Sequence, residues 1–188
     1  MDLLKYTLRI ADSSIILGQR LSSWCSKGPT LEEDIALSNL SLDLFGQANA
    51  LLEYASKLDG TKSADDFAFK RNEREFYNLQ LTEQPNGHFG DTIIRHFLFS
   101  VYSFLFYSKL SNSKDETLAA IAAKSLKEIK YHLTHSKSWL IRLGDGTEKS
   151  NKRIQKSLNN LWQFTGEFFE MDEIDQKMYK EGIGVNNS

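Results

Sequence analysis

The chain of 188 residues contains only two prolines, Pro29 and Pro85, and each stands close to a glycine, Gly28 and Gly87. Proline lacks an amide proton and clashes with the preceding turn, so a chain this poor in it can sustain long helices and turns where it does occur. The first uninterrupted stretch, residues 3–26, stops at Gly28-Pro29. Thr30, with Glu33 three residues on, then supplies a capping box for a second helix beginning near Leu31. Leu37, Leu40, Ser41, Leu44, Ala48, Leu51, Leu52 and Ala55 keep the three-four spacing of one helical face until Asp59-Gly60 ends it.

Residues 63–83 hold short charged segments, among them Arg71-Asn72-Glu73-Arg74-Glu75, which predict one or two short helices on the surface. The turn Gln84-Pro85-Asn86-Gly87 closes this crossover. A third long helix is expected over 90–110, a fourth over 116–143 ending at Gly144-Asp145-Gly146, and a fifth over 148–170, with a weaker segment to Gly182. No repeat and no alternating strand pattern is present. Two helices, a long crossover and two more helices define an all-α, ferritin-like four-helix bundle with additional C-terminal helices, expected to form a single domain over 1–188.

Charge narrows the function. Lysine and arginine number 23 against 25 acidic residues, a net charge of -2, so there is no basic excess to bind a nucleic-acid backbone. Cys25 is the one cysteine, which rules out an internal disulfide and nearly rules out a cysteine-based zinc or iron-sulfur site, fits a reducing cytoplasm, and reads as buried or inert. The start of the chain lacks the pattern of an export signal. The most apolar stretch, 97–107, is about half the roughly 20 residues that span a bilayer, so no membrane span is expected.

A di-iron bundle needs a carboxylate from each of two helices and a Glu-x-x-His pair from each of the other two, because residues three apart face the same way. The histidines are His88, His96, His132 and His135, and three positions before them stand Pro85, Ile93, Ile129 and His132. No acidic residue lies between Asp91 and Asp115 on the third helix. On the second, Asp43 is followed by Gly46 where a histidine would be needed. On the fourth, Glu128 is followed by Tyr131.

Glu128, His132 and His135 share one helical face and could hold zinc, which would make the chain a metal-dependent enzyme in its own right. The competing reading is structural: Glu128 and His132 pair at the core edge, with Asp43 or a serine nearby, and His135 points partly to solvent. No nucleophile stands in an elbow motif, and Gly144-Asp145-Gly146-Thr147 lacks the Lys-Ser or Lys-Thr of a phosphate loop, so it reads as a helix-ending turn. The aromatic run from Phe97 to Tyr107 encircles the third helix, which predicts burial on most sides. Trp139 and Trp162 read as core anchors or as interface residues.

Three strings resemble the C subunit of the bacterial ring-1,2-phenylacetyl-CoA epoxidases, and the likeness covers nearly the whole chain. They are Leu42-Asp43-Leu44-Phe45-Gly46-Gln47-Ala48; Glu83-Gln84-Pro85-Asn86-Gly87 through Phe89, Asp91, Thr92, Ile93 and Arg95; and Lys127-Glu128 with Tyr131-His132, leading through Ser136 and Trp139-Leu140 to Arg142-Leu143-Gly144. The resemblance implies a subunit without metal, cofactor or activity of its own. Its partner would be a catalytic A subunit that carries the di-iron centre, with further oxygenase components around the pair.

Under it, Asp43, Gly46, Glu128, Tyr131 and His132 mark degenerate ligand faces. Members of that family continue past Glu181-Gly182-Ile183 into another helical segment, whereas this chain stops at Ser188, so it reads as shortened at that end. A free-standing helical binding module is a further reading that sequence leaves open.

Overall fold

A computed structural model describes residues 1–187, which form eight α-helices and two short 3-10 segments, with no strand among them. Helix α1 spans Asp2–Ser22 and ends four residues before its expected limit. The hydroxyls of Ser22 and Ser23 fold back onto the Gln19 carbonyl (2.8 and 3.1 Å), and Ser26 adopts φ 66°, its amide donating to Asp34 Oδ1 at 3.0 Å. Serine hydroxyls that compete for backbone groups favour turns over further helix. Cys25, read from sequence as buried or inert, lies in this turn and is exposed, which removes the first of those alternatives.

Helix α2, Leu31–Asp59, begins where the Thr30 hydroxyl accepts from the Glu33 amide and ends at Gly60, whose φ of 76° suits a residue without a side chain. The expected capping box is only half made, because the Glu33 carboxylate turns away to another helix. All eight face residues named from sequence are buried, and Gln47 joins them. A fully buried leucine contributes about 1.5–3 kcal/mol, and Leu37, Leu40 and Leu51 have no exposed surface.

The crossover comprises α3 (Ala64–Phe69), a 3-10 turn (Glu73–Glu75) and α4 (Gln80–Glu83). It is not the purely superficial segment its charge suggests, since Phe67, Leu81 and Thr82 are buried. Its backbone is stitched to α1 in ascending order. The Tyr77 amide donates to Asp12 Oδ2 (2.9 Å), the Leu79 amide to Ser13 Oγ (3.1 Å), and Arg20 to the Glu83 carbonyl (2.6 Å). The fully buried Asp12 also accepts from both terminal nitrogens of Arg71, whose guanidinium lies 4.1 Å over the Phe76 ring. The chain is thereby carried back along α1 before the next long helix starts.

The turn that ends the crossover is held from within. Arg95 has no exposed surface; it donates to the Gln84 carbonyl and to Asn86 Oδ1 (2.5 Å), and desolvation, with Arg20 nearby, brings its pKa down to about 10. Helix α5 (Phe89–Leu110) starts at His88, which forms a capping box with Asp91. Helix α6 (Glu116–Gly144) starts at Asp115, which caps the Leu118 amide and accepts from Tyr54.

The aromatic helix α5 is enclosed as expected, with Leu105 its one large apolar side chain left exposed. Helix α6 ends at Gly144, Asp145 to Thr147 form the turn, and Thr147 caps α7 (Glu148–Trp162). The expected fifth helix divides there, continuing as a 3-10 segment, Gln163–Phe169, before α8 (Glu173–Lys180). Trp139 packs edge-on against Phe89, whereas Trp162 is exposed.

Asp12→Ala should cost about 3–5 kcal/mol in urea unfolding, because it leaves the Arg71 charge buried without a partner. Replacing Arg71 by Met as well should recover a large part of that loss. A cost for Asp12→Ala under about 1 kcal/mol would mean the pair behaves as a surface ion pair and does not organise the crossover.

Candidate functional site

The faces that would carry metal ligands meet along the seam between α2 and α6. Three side-chain pairs cross it: Glu33 Oε2 with His135 Nε2 at 3.0 Å, Asp43 Oδ2 with His132 Nε2 at 3.3 Å, and Glu128 Oε2 with Gln47 Nε2 at 3.0 Å. Positions rising along α2 meet positions falling along α6, so the two helices run antiparallel. The His132 side chain is 2% exposed and that of His135 9%.

Two expectations change here. Glu128 and His132 do not pair with each other; each reaches across to α2. His135 does not point to solvent, because the Glu33 carboxylate, released from its capping role, covers it.

Gly46 and Tyr131 lie elsewhere. Gly46 is exposed, with nothing within 4 Å of where a Cβ would stand, and Tyr131 is 52% exposed, its ring 6.3 Å from that of His135. A histidine at either position would sit on the outside of this chain, so restoring those two residues would not rebuild an interior site. Glu128, His132 and His135 face separate partners, and among the described residues no three histidine, cysteine, aspartate or glutamate side chains converge as a metal would require. The residues present therefore do not fit a di-iron centre or the three-ligand zinc site.

Sequence reasoning passed over the residue that occupies the interior. His96 on α5 has no exposed surface, neither ring nitrogen has a hydrogen-bond partner, and its ring lies 5.1 Å from that of His132. Burial, reinforced by His132 and His135, holds its pKa well below the ordinary 6.5. A signal for it exists in the sequence: Thr92, His96, Ser100 and Ser103 recur every three or four residues along an otherwise aromatic helix, and all four are buried. The stripe holds no carboxylate three residues before its histidine, so it lies outside the di-iron pattern.

Most of the buried hydroxyls are satisfied within their own helix. Ser100 donates to the His96 carbonyl (2.7 Å), Ser136 to that of His132 (2.8 Å), and Thr7 to that of Leu3 (2.8 Å).

This is a ferritin-like helical bundle whose interior is closed by cross-helix pairs and small hydroxyls, with no assembled ligand set among the described residues. The chain belongs to the phenylacetic acid catabolic protein family, whose model matches residues 1–188. It is similar to the C subunit of the 1,2-phenylacetyl-CoA epoxidase of Escherichia coli strain K12, with 48% identity over 185 residues, 98% of this chain and 75% of that protein. No helix among the described residues is long and apolar enough to cross a membrane.

The buried imidazole gives a pH dependence with a definite sign. Folded His96 resists a proton that the unfolded chain accepts below pH 6.5, so stability falls as pH drops through that value, at about 1.4 kcal/mol per unit from this group. Denaturant unfolding between pH 7.5 and about 5 should show this limb, and His96→Leu should flatten it. An unchanged slope in the variant would remove His96 as its source.

Proposed function

We propose that the chain is the non-catalytic C-type subunit of a phenylacetyl-CoA epoxidase, folded as a single domain in the cytoplasm. It pairs with a catalytic A subunit that carries the di-iron centre. The observation that carries this reading is the use made of the ligand-type side chains: Glu33, Asp43, Glu128, His132 and His135 are engaged as struts between α2 and α6. A carboxylate or imidazole committed to a neighbour across a helix seam holds two helices in register and has little capacity left for metal.

Similarity to the C subunit of a bacterial epoxidase supports the same role. So does the surface, because α2 exposes Leu31, Ile35 and Leu42 on one side, the kind of apolar face that a partner covers. In such a complex the oxygen chemistry belongs to the partner, and this chain supplies shape and rigidity.

Co-expression with an A subunit of a phenylacetyl-CoA epoxidase, followed by sizing, should yield a stable complex, and failure to form one would remove the main support. The chain purified alone should carry no stoichiometric iron or zinc. In the assembled complex, Glu128→Gln should leave turnover within about twofold, since an amide can still meet Gln47. A metal ligand at this position would instead make the variant slower by orders of magnitude.

A further inference from the structure

On the side of the bundle away from the α2–α6 seam, α1, α5, the crossover and the C-terminal segment line a half-open cavity of about 330 Å³. We infer that this cavity is a binding site for one small, neutral aromatic molecule carrying a hydrogen-bonding group. The inference does not depend on the structural role proposed above.

Volume and lining set the size and character of the occupant. The cavity falls at the lower end of the range of small-molecule sites, suited to a single ring with a substituent. Phe99, Tyr102 and Phe106 from α5 and Tyr6 from α1 provide ring faces and edges. Tyr102 is held by stacking on Phe168, with centroids 4.5 Å apart and planes inclined by 18°. A wall of fixed aromatic rings receives another ring at low entropic cost.

The polar group is specified by a hydroxyl left over. Ser103 lines the cavity, is 3% exposed, and its Oγ has no hydrogen-bond partner. Its neighbours on α5 behave otherwise: Ser100 and Ser108 donate to the carbonyls four residues back, at 2.7 and 2.6 Å. On the facing helix Ser13 does the same, at 3.1 Å. Tyr107, also 3% exposed, brings a second hydroxyl to this wall beside Ser14. A buried hydroxyl without a partner is costly, and a ligand amide, alcohol or phenol reaching Ser103 would remove that cost.

Charge at the mouth decides against an anion. Among the described residues, Arg9 is the one cationic side chain in the lining, and it is held by Asp172 and Asp175. Glu167 and Glu170 add negative charge, with the Glu167 carboxylate fixed by the amides of Gln80 and Leu81, each at 3.0 Å. With Arg9 so engaged, the lining offers no ready counterion to a carboxylate or a phosphate.

Benzamide and benzoate have nearly the same shape and differ by one charge. Saturation-transfer NMR on the purified chain should show benzamide binding with a Kd on the order of 0.1–1 mM, and benzoate at least about tenfold weaker. Ser103→Ala, which keeps the cavity and removes the hydroxyl, should weaken benzamide by roughly three- to tenfold, and Ser103→Leu, which also fills the space, should abolish binding. Circular dichroism and thermal melting establish that each variant is folded, and Ser103→Ala alone suffices if Ser103→Leu does not fold. Absence of benzamide binding at about 5 mM, equal binding of benzoate, or undiminished binding by folded Ser103→Ala would each overturn the assignment.

Discussion

The buried carboxylate of Asp12 is the point on which the topology turns. A charge with no exposed surface must be met by partners, and those available are the Arg71 guanidinium and the Tyr77 amide, both from the crossover. Once they are in place, the chain leaving α2 runs back along α1 in the direction of α1 itself. It delivers Asn86 to the Arg20 carbonyl at 2.7 Å and Thr92 to Trp24 at 3.0 Å. Helix α5 must then begin at the end where α1 stops. A crossover that missed Asp12 would leave one charge unpaired and start α5 at the wrong end of the bundle.

The same logic governs the α2–α6 seam with weaker forces. Three polar pairs fix the register of two helices that otherwise touch little, since the extensive packing is between α1 and α2 and between α5 and α6. Apolar contact tolerates sliding by a fraction of a turn, whereas a histidine aimed at one carboxylate does not. Polar side chains of ligand type are therefore compatible with a structural role, and their presence on facing helices says little about metal until it is known what each one touches.

How far the structure is legible in the sequence follows from this. Helix α2 is readable from end to end because its signals are local: a threonine cap, a periodic face and a terminal glycine. The end of α1 is misread because serines 22 and 23 act through side-chain competition that periodicity does not register. The crossover is misread as superficial because its charges look solvated, and only the burial of Asp12, a property of the folded whole, reveals what Arg71 is for. At the seam, the residue types and their faces are legible, but their partners are not. Glu33 is claimed in sequence by a capping box and in space by His135, and the interhelical partner wins, its carboxylate meeting the imidazole at 3.0 Å.

The interior of α5 combines bulk with a line of small polar side chains. A helix aromatic on nearly every side would pack by bulk alone, yet it carries a buried line of Thr92, His96, Ser100 and Ser103. Small hydroxyls allow neighbouring helices to approach closely, and where they bond to their own backbone they place no demand on the rest of the core. His96 and Ser103 depart from that economy, each remaining buried with polar atoms unmet. His96 is walled in by the bundle and can respond only by staying neutral. Ser103 opens onto a cavity, so its unmet hydroxyl is available to whatever molecule enters.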